Sequence, residues 1–288
     1  MPDIWEIGTI VSKLMLYVGI GGSTGLVIIR ATFSDLVSPL GDGMRVHAAL
    51  LAGLALVASV LGFMLQGAAL TGEAAGMTDP EMLGLLWQTS VGDVFVFRFI
   101  ATMLIIIGAF MPQLGQWIAL VGGILGLWSF TQIGHVPGLE ATGARLLLLL
   151  HLLCFAFWVG VLGPLRALSR QTEHLGNAAE LGHRFGQAAS VIVPLLILAG
   201  LLMAWMLLGD MWALTTTGYG QTLLFKLALV GAVLALATAN KLRFVPAMQA
   251  GDSKAARRLV RSIEIETVVI LMVLATTAAL TSVLTPPN

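Results

Sequence analysis

The chain has 288 residues, 58% of them hydrophobic and only 10% charged, and no net formal charge. A soluble domain carries about a quarter charged residues, so this composition belongs to a membrane protein and excludes nucleic-acid binding through a basic surface. Cys154 is the single cysteine, which excludes an intrachain disulfide. The opening Met1-Pro2-Asp3-Ile4-Trp5-Glu6 lacks the basic lead and small-residue cleavage site of a removable signal peptide. The first apolar stretch, about Gly8 to Ile29, is therefore expected to stay as a signal anchor. A second span follows from Val46 to Leu70. The stretch from Phe99 to Leu139 carries no charge and is too long for one crossing of about 20 residues. Met111-Pro112-Gln113-Leu114-Gly115-Gln116 punctuates it as a tight turn, giving spans at Val94–Met111 and Gln116–Ile133. Four more follow at Leu146–Leu165, Phe185–Gly209, Gln221–Leu242 and Ile263–Leu284. None shows strand alternation, so the expected fold is an all-α polytopic bundle of eight spans and not an outer-membrane barrel. The whole of 1–288 reads as one transmembrane domain.

Charge placement orients the bundle. Arg166, Arg170 and Arg184 follow span five, and Lys241, Arg243, Lys254, Arg257, Arg258 and Arg261 follow span seven. The loop after span two carries Glu73, Asp79, Glu81 and Asp93 instead. The positive-inside bias puts the two basic loops in the cytoplasm and the acidic loop outside, so eight spans leave both termini periplasmic. Gly21–Gly25 and Gly122–Gly126 have the small-xxx-small spacing of close helix packing. Pro164 and Pro194 lie inside spans five and six, where they can kink a helix.

Ionisable and metal-binding groups are costly in a bilayer, so each needs a reason. His174 and His183 read as solvated loop residues, and His47 as an interfacial contact. His151 lies about 9 Å along span five from Arg145, with Cys154 at i+3 and Trp158 at i+7 on the same face. Imidazole suits copper and zinc, while thiolate and thioether favour Cu(I). His135 sits in the Gly134–Gly138 turn, whose glycines and proline permit a fold back over span five. Met203 and Met206 lie one turn apart near the outer end of span six, with Met211 beyond; Met64, Met77 and Met82 lie around the outer end of span two. Thioethers hold Cu(I), but methionine also fills gaps in apolar cores. Arg98 and Lys226 are placed to snorkel, and Glu264 and Glu266 to pair with Arg261, Lys241 or Arg243 at the inner interface. No Walker loop, GxSxG elbow or HExxH occurs, so no enzyme activity is expected.

Taken in order, several stretches resemble the copper resistance D (CopD) family of bacterial inner-membrane proteins. They are Gly134-His135; His151-Leu152-Leu153 through Trp158-Val159-Gly160; Arg184-Phe185; Ala199-Gly200; Ala204-Trp205; Thr217-Gly218-Tyr219-Gly220 through Lys226; Asn240-Lys241 with Pro246; and Arg261 through Glu266. The likeness is clearest over 181–286. It implies copper handling at the inner membrane, beside a periplasmic copper carrier of the CopC type that is not fused to this chain. It also carries His135 and His151 over as copper-site residues. Cys154 departs from the family pattern, where a small residue is commoner, and rests on spacing alone.

The leading expectation is therefore copper passage across the inner membrane, with copper, as Cu(I), captured at the periplasmic mouth by His135 and His151, assisted by Cys154, Met203 and Met206. Two alternatives stand beside it. One is a haem-b electron carrier using His151 as an axial ligand, against which no second span histidine lies at matching depth. The other is a non-transporting scaffold for a periplasmic copper protein.

Overall fold

The computed structural model describes residues 3–139 and 143–287; Met1 and Pro2, which open the stretch ahead of the expected signal anchor, lie outside it. Eight principal helices follow one another: α1 (Ile4–Thr32), α2 (Gly41–Thr71), α3 (Ser90–Phe110), α4 (Gly115–Ser129), α5 (Ala144–Ser169), α6 (Leu175–Leu208), α7 (Gly218–Ala239) and α8 (Ser253–Leu280). Each overlaps an expected span, but α6 and α8 begin ten residues ahead of theirs, so His183 stands on a helix and not in a loop. Seven are long and apolar enough to cross a membrane. The exception is α4, whose 15 residues rise about 22 Å against a hydrocarbon core of about 30 Å. It stops early because the chain turns at Phe130 and Thr131, where the Ser129 and Thr131 hydroxyls bond back to Gly126 and Trp128 carbonyls.

Local chemistry sets the helix ends. Asp3 and Glu6 form a reciprocal capping box that starts α1. Thr89, Thr217 and Asp252 cap α3, α7 and α8 through their side-chain oxygens. Gly72, at φ 76°, closes α2 in the left-handed conformation that glycine alone adopts without cost. The α3–α4 turn falls where Pro112 predicts it, and Gln113 takes φ 53° to make it. Pro164 and Pro194 sit inside α5 and α6, which continue through them. After α7 the helix widens into a π-helical turn, Asn240–Phe244, before a short helix Val245–Gln249.

Helix α1 occupies the centre, packed on α2, α4, α5 and α8. Glycines allow it. Gly25 lies against the backbone of Ala156 and Gly160 on α5, and Gly19 against Leu51 and Ala55 on α2. Gly122 similarly meets Ala101 on α3. Lipid supplies no hydrophobic drive between helices, so such close backbone contacts are what hold this side together. In contrast, α6 meets the chain of α7 chiefly through the segments that follow α7.

Ion pairs gather the basic loops at one end. Arg184 on α6 reaches Asp35, just after α1, at 2.9 Å, and Asn177 donates to the Leu36 carbonyl. Arg166 and Arg170 at the end of α5 share Glu264 of α8 at 2.7 Å each. At the opposite end, Lys13 of α1 donates to the Thr281 carbonyl and Tyr17 meets the Thr281 hydroxyl at 3.0 Å.

Candidate functional site

Among the described residues, two polar constellations share the face of α5 that bears His151, Cys154 and Trp158. The upper one is at the end opposite the basic loops. His151 Nδ1 lies 2.9 Å from the Leu196 carbonyl of α6. A carbonyl only accepts, so Nδ1 carries the hydrogen and Nε2 keeps its lone pair. Gly200 makes room for the ring: a Cβ there would stand 3.1 Å from His151 Cε1. That explains the Ala199-Gly200 pair physically. Cys154, one turn further along α5, is buried at 6% exposure, and Met203 on α6 is buried at 7%. Met203 stands about 4.5 Å of helical rise beyond Gly200, with Met206 one turn further.

Gly134, at φ 128°, turns the chain so that His135 opens the short helix His135–Gly138. Its Nε2–H donates to the Leu280 carbonyl at 3.3 Å, and its ring meets Tyr219 edge-on at 6.3 Å. Nδ1 is left as the lone-pair nitrogen. His135 thus caps the end of α8 together with Lys13, as a cationic or donor group at a helix C-terminus should. The two imidazoles engage different neighbours, His151 the middle of α6 and His135 the ends of α7 and α8. Among the described residues, no group of three or more His, Cys, Asp or Glu is placed to hold a metal ion. His47 turns back on its own helix, at 2.6 Å from the Gly43 carbonyl.

The other charged groups differ from expectation. Arg98 does not snorkel: its guanidinium lies 5.3 Å from the Phe130 ring centre and Nε–H donates to Ser129 at 3.3 Å. Glu264 pairs with Arg166 and Arg170 and not with Arg261, because α5 and not the α7–α8 loop flanks that face of α8.

Glu266 forms no ion pair among the described residues. It is 1% exposed, accepts from Trp158 Nε1–H at 2.8 Å, and accepts from Asn240 Nδ2–H at 2.9 Å. These three residues line a cavity of about 210 Å³ bounded by α5, α6, α8 and the end of α7. Lys241, bonded to Ser190 at 2.6 Å, also lines it. Sequence reasoning placed Glu266 in an interfacial ion pair and so missed this site. Its signals were present: Trp158 on the His151 face, and a carboxylate two residues beyond the one that pairs with arginine.

A multi-pass helical membrane protein with histidine and sulfur donors in one half and a buried carboxylate in the other is the class these features define. The sequence profile of the copper resistance protein D-like N-terminal domain matches residues 1–146, and that of copper resistance protein D matches 179–280. The chain belongs to the copper resistance protein D family. It is 27% identical over 202 residues to the inner membrane protein YebZ of Escherichia coli (strain K12), an alignment spanning 63% of this chain and 65% of that protein. The chain thus covers just under two thirds of that relative's length. No solved structure matches. The protein is accordingly a multi-pass inner-membrane protein of a copper-resistance family. The stretches that carry the family likeness meet in the fold: Gly134-His135 reaches Tyr219, and Trp158, Asn240 and Glu266 share one network.

Proposed function

We propose that the protein passes copper across the inner membrane as a non-enzymatic conduit, the whole chain acting as one transmembrane unit. In this reading the basic end is cytoplasmic, both termini are periplasmic, and copper enters beside His135 and His151. The observation that carries it is the 2.9 Å approach of His151 Nδ1 to the Leu196 carbonyl. The His151 Nδ1–H is committed to the Leu196 carbonyl, which turns the Nε2 lone pair into a fixed donor, the arrangement metal-ligating histidines adopt. Cys154, one turn from His151 on α5 toward the basic end, and Met203, one turn beyond Gly200 on α6 toward the other end, offer soft sulfur to either side of it, the kind of donor that suits Cu(I). His135, held at the mouth by Leu280, would take the ion first from a periplasmic carrier of the CopC type.

Uptake of radiolabelled Cu(I) into vesicles containing the purified chain tests this. Replacing both imidazoles, His135→Ala with His151→Ala, is expected to lower initial uptake roughly tenfold or more, given what loss of metal-site groups costs. Unchanged uptake would remove both residues from the route.

A further inference from the structure

Among the described residues, Glu266 is a fully buried carboxyl group with no cation paired to it, in the half of the bundle nearer the basic loops. A carboxylate there is costly unless it is compensated or can become neutral. Two hydrogen bonds compensate it in part, from Trp158 and Asn240. Asn240 itself is 91% buried, and its Oδ1, on the same amide that donates to Glu266, is buried without a hydrogen-bond partner. A proton on Glu266 removes the buried charge and adds a donor to a network with a buried acceptor to spare. The site is therefore short of a donor when ionised, and protonation supplies one.

Access is present as well. The cavity of about 210 Å³ reaches from Trp158 and Glu266 to Ser190 and Lys241, between α6 and α7. At that gap α7 gives way to the π-helical turn that begins with Asn240. Such turns concentrate at functional positions because they break the regular helical ladder. Charged groups around Glu266 are few. The lining from α5 and α6 carries none, Lys241 is the contribution of the α7 end, and Glu264 on α8 turns to Arg166 and Arg170. Above it, the same face of α5 leads from Trp158 through Cys154 to His151, about 10 Å of helical rise away.

The geometry points to Glu266 as a proton-exchange site, opening to the basic end through the α6–α7 cavity and coupled to cations held on the α5 face. The step is a simple exchange. The Glu266 O–H breaks, its proton passes to water in the cavity, and the carboxylate keeps the Trp158 and Asn240 hydrogen bonds; uptake reverses it. A cation on the α5 face favours the ionised form and a proton the neutral one, so each displaces the other. The coupling rests on the copper reading above, whereas the exchange itself does not.

Infrared difference spectroscopy of the full chain in lipid nanodiscs, stepped through pH, tests the exchange without copper. The wild type is expected to lose a protonated-carboxyl C=O band on alkalisation, and Glu266→Gln to lack that band entirely. Glu266→Asp keeps a titrating band at shifted frequency, which decides the matter should the Gln variant not fold. Identical difference spectra for wild type and Glu266→Gln overturn the proposal. A second arm adds Cu(I) alone, without oxygen, and reads released protons with a pH dye. Release from the wild type that is lost in Glu266→Gln supports coupling, and copper uptake by wild type with no proton release overturns it. A titrating Glu266 band in a protein that takes up no copper overturns the copper reading while upholding the exchange site.

Discussion

The two sides of this bundle are held together by different means. Where α1 meets α2 and α5, backbones touch: Gly19 and Gly25 are packed so closely that a methyl group at either would overlap a neighbouring helix. Where α5, α6, α7 and α8 surround the cavity, the contacts are an indole, an amide, a carboxylate and an ammonium, with open volume between them. Small residues give a membrane protein its tightest joints, because apolar side chains gain nothing by leaving lipid for one another. Polar groups give weaker joints that respond to charge. The first side is suited to be scaffold and the second to be the part that changes state.

The largest effect expected from breaking this contrast comes at Gly25. A valine there would drive its Cβ into the Ala156 carbonyl and the Gly160 backbone, neither of which can rotate aside. Overpacking typically costs about 1–3 kcal/mol and more where backbone must move. Gly25→Val should therefore lower the melting temperature sharply, or abolish monodisperse protein, in detergent. Gly163, on α5 only three residues beyond Gly160, has nothing within 4 Å of its would-be Cβ. Gly163→Ala should leave melting unchanged or slightly raised, and an equal loss for both variants would sink the scaffold argument.

The scaffold was far more legible in the sequence than the site. Apolar length and the Pro112 turn located all eight helices, because hydropathy and chain-breaking residues act locally. Gly21–Gly25 and Gly122–Gly126 announced close packing, although not which helix each would meet. Spacing also put His151, Cys154 and Trp158 on one face of α5. What the face would touch was illegible, since that depends on α6 and α8, distant in the chain. Hence Leu196 as partner of His151, Leu280 as partner of His135, and Asn240 as partner of Glu266 emerge only from the fold. Glu264 and Glu266 illustrate the limit best. Two residues apart, they differ by about 200° around the helix, so one faces the arginines of α5 and the other the cavity.

On the responsive side, Trp158→Phe keeps the ring and removes one donor to Glu266. A hydrogen bond to a charged group contributes about 1.5–3 kcal/mol, a neutral one about 0.5–1.5. Thermal unfolding of this variant should show a loss in the upper range at a pH where Glu266 is ionised and in the lower range where it is protonated. A loss independent of pH would mean that the carboxyl does not change state, which would reduce this side to scaffold like the other.

The smallest effect is expected from Arg184→Ala. Arg184 reaches both Asp35 and Glu180, at 2.9 and 2.6 Å, yet its side chain is 46% exposed and both partners are similarly open. Ion pairs so exposed are weakened by water and by salt, whose screening length is about 8 Å at physiological ionic strength. Melting should be unchanged within error, and insensitive to added salt, even though this pair joins segments far apart in sequence. A clear drop on Arg184→Ala would show that the basic end is itself a structural joint, and the division between a glycine-packed scaffold and a polar, responsive side would need a third region. An unchanged melt, set beside a pH-dependent loss for Trp158→Phe, would place the energetic weight of polar contacts inside the membrane. There an acceptor deprived of its donor has only the few waters that a cavity of about 210 Å³ admits.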